Sequence, residues 1–130
     1  MKFKIILAVL LVAIVGVIIA SPSSSNPTSA SSLTFQKIKT DVAAGGQLMD
    51  VRTAPEFTSG HIDGAINLSL QDIQAGARPT IAKTTPLYIY CHTGNRSSQA
   101  TAILKAAGYT NIIDLGAITN VQALGGVIKT

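Results

Sequence analysis

An apolar run that ends abruptly at a turn is the feature that most constrains the fold of this chain. The run PLYIYC occupies positions 86–91 and is rich in residues that favour strands. A short, uninterrupted apolar strand is typical of the buried centre of a parallel sheet. The segment NRSSQATAILKAAG follows, with a helical spacing of apolar residues, and ends at Gly108. The two segments together predict a strand–turn–helix unit of an α/β domain.

Helical and strand-like segments alternate along the rest of the chain. We expect short helices at 33–46, 53–60 (N-cap Thr53) and 69–76 (N-cap Ser69), and short strands at 47–51, 65–70 and 110–115. Positions 116–130 are too mixed to assign. This order predicts the α/β class, as one domain whose central parallel sheet is flanked by helices on both faces. In such sheets ligands bind at the carboxyl ends of strands, where a turn leads into a helix.

The N-terminal segment has a different composition from the rest. Lys2 and Lys4 precede an apolar run at positions 5–20. This order is typical of an export signal. An uncleaved membrane anchor is the alternative, and it is less favoured because the run falls just short of the roughly 17 residues that a spanning helix needs. We therefore expect a signal peptide or anchor at 1–20, a disordered Ser- and Pro-rich linker at 21–32, a folded domain at 33–130, and a periplasmic or other extracytoplasmic location.

Composition narrows the classes of partner. The net charge is +4, and without Lys2 and Lys4 there remain eight basic against six acidic residues, a balance of +2. The basic residues are scattered and tryptophan is absent, so we expect no nucleic-acid partner. A single cysteine cannot form an internal disulfide. We expect a monomer without a cofactor or a metal, since Cys91, His61 and His92 match no usual ligand spacing.

Cys91 stands where the central strand is predicted to end. A loop at 92–95 follows it, and we expect the next helix to begin near Arg96 or Ser97. The first amides of a helix have no internal partner and, with the helix dipole, favour an anion. A thiol in that position loses its proton more easily and becomes a nucleophile. The alternative is a small buried residue at a strand end, but the neighbouring glycine and arginine favour a reactive thiol.

The residues after Cys91 add hydrogen-bond donors. Gly94 permits backbone conformations that a side chain would forbid, and Arg96 supplies a fixed charge and a planar set of donors for an oxyanion. His92 is left open: as an imidazolium it would favour the thiolate, and it is equally expected to point to solvent. The residues expected to bind the substrate are His92, Thr93, Gly94, Asn95, Arg96 and Ser97.

Two motifs carry a resemblance to a known family. CHTGNRS at 91–97 resembles the active-site loop of the rhodanese family of sulfurtransferases. LMDVRTAPEFTSGHIDGAINLSL at 48–70 resembles that family's other hallmark, an Asp-x-Arg strand end followed by a Gly-His turn. The resemblance covers roughly 33–124 and is strongest to small exported single-domain members of the phage-shock-protein E kind. One departure is that the tryptophan many relatives carry after the last strand is absent.

The resemblance implies a mechanism. The thiolate of Cys91 would take the outer sulfur of thiosulfate as a persulfide, Arg96 would hold the oxyanion end of the donor, and cyanide or a thiol would then accept the sulfur. The implied partners are thus a small sulfur donor and a thiophilic acceptor. The alternative is a non-enzymatic module that carries persulfide or binds an anion or a partner protein. A cysteine phosphatase is less favoured. The resemblance to that class would require five residues between the cysteine and the arginine, whereas four residues separate Cys91 from Arg96 here.

Three further residues are expected to support the site. Asp50 and Arg52 belong to the family's first hallmark, and we expect ion pairs or hydrogen bonds that fix the loops around the site. Arg52 and Glu56 are four residues apart and would pair if the helix between them begins early enough. His61 is expected, from the resemblance, to stabilise its turn.

Overall fold

The computed structural model describes residues 32–130. The predicted signal peptide or anchor at 1–20, and the predicted linker up to residue 31, lie outside the described residues and stay predictions. Within 32–130, no helix is long and apolar enough to cross a lipid bilayer.

The described residues form a parallel sheet with helices packed against it. The strands are β1 (Gln47–Asp50), β2 (His61–Ile62), β3 (Ile66–Asn67), β4 (Leu87–Cys91), β5 (Ile112–Ala117) and β6 (Ile128–Lys129). The main sheet has the order β3-β1-β4-β5, and its neighbouring strands are all parallel. The predicted α/β class is therefore confirmed, with β4 as a fully buried central strand.

The helices are α1 (Phe35–Ala43), α2 (Ala54–Ser59), α3 (Leu70–Gln74), α4 (Asn95–Ala106) and α5 (Ile118–Ala123). The first four lie at the predicted places. Ser69 caps α3 as predicted, because its hydroxyl oxygen accepts the backbone N–H of Asp72. The segment at 116–130, left unassigned by the sequence, contains α5 and the short strand β6, which pairs antiparallel with β2. The sequence indicated no strand after β5, because a two-residue strand such as β6 has no local signature and forms only through this distant pairing.

Alternate residues of the central strands face two separate apolar layers. Met49 and Ile89 pack with Leu104 in the layer covered by α3 and α4. Leu48 and Tyr90 pack in the opposite layer, which α1 and α5 cover. Helices on both faces were predicted and are confirmed, and this double burial explains why β4 is an uninterrupted apolar run.

Two strand ends meet at the same edge of the sheet. β1 and β4 are paired in parallel register, with Asp50 opposite Tyr90, so their carboxyl ends lie side by side. Helix α4 begins at Asn95, one residue earlier than predicted, because Gly94 adopts a left-handed conformation (φ 99°) and serves as the N-cap. This glycine turns the chain sharply from β4 into α4.

Candidate active site

Cys91 lies at the junction that the sequence indicated. It is the last residue of β4, its relative exposure is 0%, and it belongs to the apolar layer under α4. The backbone N–H of Gly94 points at the Cys91 Sγ, with N and Sγ 2.9 Å apart. The sulfur thus sits beneath the N-terminus of a twelve-residue helix and accepts a backbone hydrogen bond.

The rest of the loop divides into exposed and internal residues. His92, Thr93 and Asn95 are exposed on the surface of the loop. Ser97 is fully buried, and its hydroxyl donates to the carbonyl oxygen of Gly94 at 3.0 Å. Its hydroxyl hydrogen is therefore used within the turn and fixes the conformation of Gly94, instead of being offered to a substrate.

Arg96 is already bound to an acidic side chain. Its Nη1 and Nη2 donate to the two carboxylate oxygens of Glu56, at 2.7 and 2.9 Å. The same carboxylate accepts the N–H and the hydroxyl of Thr53, in the capping box that opens α2. The expected pairing of Glu56 with Arg52 was wrong, since Glu56 reaches across to α4 and Arg52 turns back to Asp50. Sequence reasoning missed Glu56 as a site residue, and the only signal for it was the Thr-x-x-Glu capping pattern.

This contact changes the electrostatics of both partners. Hydrogen bonds from the Arg96 guanidinium and, to a smaller extent, from Thr53 hold the pKa of Glu56 well below its usual range. The Glu56 carboxylate in turn raises the pKa of Arg96, to which the nearby Cys91 and Asp50 add smaller contributions. Glu56 is thus ionised at neutral pH. Its carboxylate neutralises the positive charge with which Arg96 was expected to bind the sulfur donor.

Asp50 and Arg52 form a buried ion pair beside the site. Arg52 donates from its backbone N–H at 2.9 Å and from its guanidinium, with Nη2 2.6 Å from Asp50 Oδ2. The same Nη2 donates to the carbonyl oxygen of Gly60 at 2.7 Å. Burial opposes the charge of Arg52, yet the hydrogen bonds and the charge of Asp50 raise its pKa. The pair therefore ties the end of β1 to the end of α2, the helix that carries Glu56.

His61 packs in the turn after α2. Its Nδ1 lies 2.9 Å from the carbonyl oxygen of Phe57, and its ring stacks on the Phe57 ring with 3.8 Å between centroids. The next residue, Ile62, donates its backbone N–H to the hydroxyl of the buried Tyr90 at 3.0 Å. These contacts fasten the turn to β4.

In the part of the chain that the structure describes, no three His, Cys, Asp or Glu side chains come together as a metal ion would require. The chemistry available is that of a buried thiol, an amide-lined helix N-terminus and a paired arginine. These features define a class of α/β domain in which a cysteine between a central strand and a helix binds or attacks an anionic group.

Comparison with known proteins identifies the family. The sequence model of the Rhodanese-like domain matches residues 34–123, and the chain belongs to this family. The resemblance drawn from the two motifs is therefore confirmed, as is the single α/β domain that it implied.

Two curated relatives are similar in sequence. Thiosulfate sulfurtransferase PspE of Escherichia coli is 30% identical over 62% of this chain and 78% of its own length. Putative sulfur carrier protein YrkF of Bacillus subtilis is 28% identical over 72% of this chain, but the match spans only 51% of YrkF. Both names belong to sulfur-transfer proteins, which supports a sulfurtransferase family in general terms.

A solved structure agrees with the fold. The Rhodanese_3-like domain of the Alr3790 protein from Anabaena sp. has a TM-score of 0.58 and 27% identity, and the match covers 65% of this chain and 98% of that domain.

Proposed function

We propose that this protein is an enzyme that moves a sulfane sulfur from thiosulfate, or a similar donor, to a thiophilic acceptor through a persulfide on Cys91. The observation that carries the proposal is the Gly94 N–H, which is directed at the Cys91 Sγ from 2.9 Å away at the N-terminus of α4. A hydrogen bond and a helix dipole aimed at sulfur stabilise a thiolate and, afterwards, a persulfide anion.

The first step is a displacement at sulfur. The Cys91 thiolate donates an electron pair to the outer sulfur of thiosulfate and forms a new S–S bond. The S–S bond of thiosulfate breaks, and sulfite leaves with its electron pair. The Gly94 N–H, which donates to the Cys91 Sγ, would then stabilise the persulfide anion.

The second step returns the enzyme to its starting state. Cyanide or a thiolate attacks the outer sulfur of the persulfide, the persulfide bond breaks, and the Cys91 thiolate is regenerated. With cyanide the product is thiocyanate. No cofactor enters either step, and no proton is transferred when both nucleophiles are anions.

A persulfide carrier is the second candidate. Cys91 is completely buried, and a carrier would keep its sulfur away from solvent until it meets a protein acceptor. The name of the relative YrkF, a putative sulfur carrier, supports the same reading. In that case the acceptor is a protein that opens the loop.

Assays of the full-length protein separate these functions. We expect thiocyanate to accumulate over many turnovers from thiosulfate and cyanide, and Cys91→Ser to abolish both turnover and the uptake of sulfur, a gain of about 32 Da. Uptake of a single sulfur without turnover would favour the carrier. Hydrolysis of an aryl phosphate without either sulfur reaction would contradict both candidates.

We further propose export to the periplasm or another extracytoplasmic space, supported by the basic and apolar order of positions 1–20. Mass spectrometry of the protein from its native envelope tests this, because cleavage after Ala20 leaves a chain that begins at Ser21. An intact chain in the cytosolic fraction would contradict it.

A further inference from the structure

The charged side chains beside Cys91 come in balanced pairs. Arg96 is bound by Glu56 through two hydrogen bonds, and Arg52 is bound by Asp50. Two cations therefore face two anions, and the net charge of the four side chains is zero before the charge of the thiolate is added. A site balanced in this way offers an incoming anion little net attraction.

Glu56 is held in place independently of Arg96. One of its oxygens accepts both the N–H and the hydroxyl of Thr53 at the start of α2. The end of α2 is fixed in turn by the Arg52 hydrogen bond to Gly60. The carboxylate is therefore a fixed negative charge, to which Arg96 binds from the first turn of α4.

We infer that Glu56 determines donor specificity: by binding both terminal nitrogens of Arg96, it makes the site discriminate against doubly charged donors in favour of donors with less charge. The inference rests on the proposed sulfur transfer and names the substrate class of that site. A dianion such as thiosulfate must either displace Glu56 from Arg96 or bind without that cation. A monoanion such as a thiosulfonate (R–SO₂–S⁻) or an organic persulfide loses less binding affinity when the charge of Arg96 is neutralised.

The decisive variant is Glu56→Gln in the full-length protein. Glutamine has the same size and is a usual residue at this position of a capping box, so α2 keeps its first turn. The change removes one negative charge and leaves Arg96 with a neutral partner. Asp63→Asn is the matched control, because it also removes one negative charge and Asp63 is exposed, in a long surface pair with Lys129 (3.8 Å between Oδ1 and Nζ).

The kinetic test compares two donors that share the same reacting S–S bond. With Glu56→Gln we expect kcat/KM for thiosulfate to rise about three- to tenfold, mainly through a lower KM, the effect of one unit charge a few ångströms away in a partly hydrated site. The rise for methanethiosulfonate, with one charge fewer, should be clearly smaller. A KM for thiosulfate that rises or stays unchanged would overturn the inference.

A second measurement does not depend on sulfur transfer. Cys91 is the only cysteine, so its alkylation by iodoacetate, an anion, and by iodoacetamide, its neutral analogue, can be followed without ambiguity. We expect Glu56→Gln to raise the ratio of the two rates about two- to threefold, because iodoacetate carries one negative charge where thiosulfate carries two, and Asp63→Asn to leave it unchanged. Adding Arg96→Gln to Glu56→Gln should cancel the increase.

The two measurements separate failure of the inference from failure of the proposed function. If no sulfur is taken up from any donor but the alkylation ratio rises, the proposed function fails and the control of site charge by Glu56 stands. If sulfur transfer is normal but the ratio is unchanged, the proposed function stands and the inference about Glu56 is wrong.

Discussion

The backbone N–H of Gly94 donates to the Sγ of Cys91, three residues earlier, with 2.9 Å between the two atoms. The hydrogen bond depends on the left-handed conformation of Gly94, which a residue with a side chain adopts only at a cost. The conformation of one glycine thus decides whether the helix N-terminus faces the sulfur.

Gly94→Ala tests this relationship. The left-handed conformation costs an alanine about 1–2 kcal/mol, so the free energy of unfolding should fall by that amount in urea titrations. The added Cβ would lie 3.6 Å from the Cα of Gly116, an ordinary contact, so conformation and not crowding is the cause. We also expect slower uptake of sulfur by Cys91, because the loop relaxes away from this conformation.

Gly76→Ala is the control for that prediction. Gly76 has a similar φ of 108° with nothing within 4 Å of an added Cβ, and it ends α3 at the surface. We expect a comparable loss of stability with no change in sulfur uptake. Equal effects of both variants on uptake would show that the Gly94 N–H has no special role.

Asp50→Asn removes the charge that balances a buried arginine. Asp50 is 0% exposed and Arg52 only 7% exposed, so the guanidinium would be left in a buried site without its counter-charge. Breaking a buried pair in this way costs about 3–5 kcal/mol, which thermal or urea unfolding would measure. The matched surface variant Asp63→Asn should cost less than about 1 kcal/mol. A similar small loss for both would mean that water reaches Arg52.

The Glu56–Arg96 pair should make part of the stability dependent on pH. Because the pKa of Glu56 is lowered in the folded protein, its contribution is present above its unfolded value, about 4.3, and is lost as the pH falls. We expect Glu56→Gln to be less stable than the wild type by up to about 1 kcal/mol at neutral pH, since the pair is partly exposed. The difference should shrink below about pH 4.

Unfolding in urea at several pH values measures this difference, and high salt should reduce it at neutral pH. Asp41, whose pKa is also lowered by Lys37 and Tyr88, is the same in both proteins and cancels in the comparison. A difference that does not vary with pH would mean that the ion pair contributes nothing to folding.

Tyr90→Phe tests the hydrogen bond that fastens the His61 turn to β4. Tyr90 is fully buried, and removing its hydroxyl leaves the backbone N–H of Ile62 without this hydrogen-bond acceptor. We expect a loss of about 1–3 kcal/mol on thermal unfolding. Tyr88→Phe should cost less, because its partner Asp41 is partly exposed and also bound by Lys37.

The local part of the site was predictable because each of its signals lies within a few residues. The β-rich run before Cys91, the glycine after it and the apolar spacing of α4 all point to one strand–turn–helix unit. Gly94 and Arg96 fall where the pattern indicated. The fold class followed from the same local alternation of strands and helices.

The partners of the charged residues were not predictable from spacing. Arg52 has Asp50 two positions before it and Glu56 four positions after it, and both are acidic. The choice was made by the sheet and by α2, which direct Arg52 back to Asp50 and bring Glu56 to an arginine 40 positions away. Likewise, β6 exists only because the C-terminal segment meets β2.

The sequence by itself determined the α/β class, the position of Cys91 at a strand end and the family that its loop resembles, because periodicity and turn residues act over short distances. Only the tertiary structure decided that Ser97 donates within its own turn and that Arg96 is neutralised by Glu56. Contacts between distant segments depend on how the strands pair and which way the helices face, and these are set by the packing of the whole sheet.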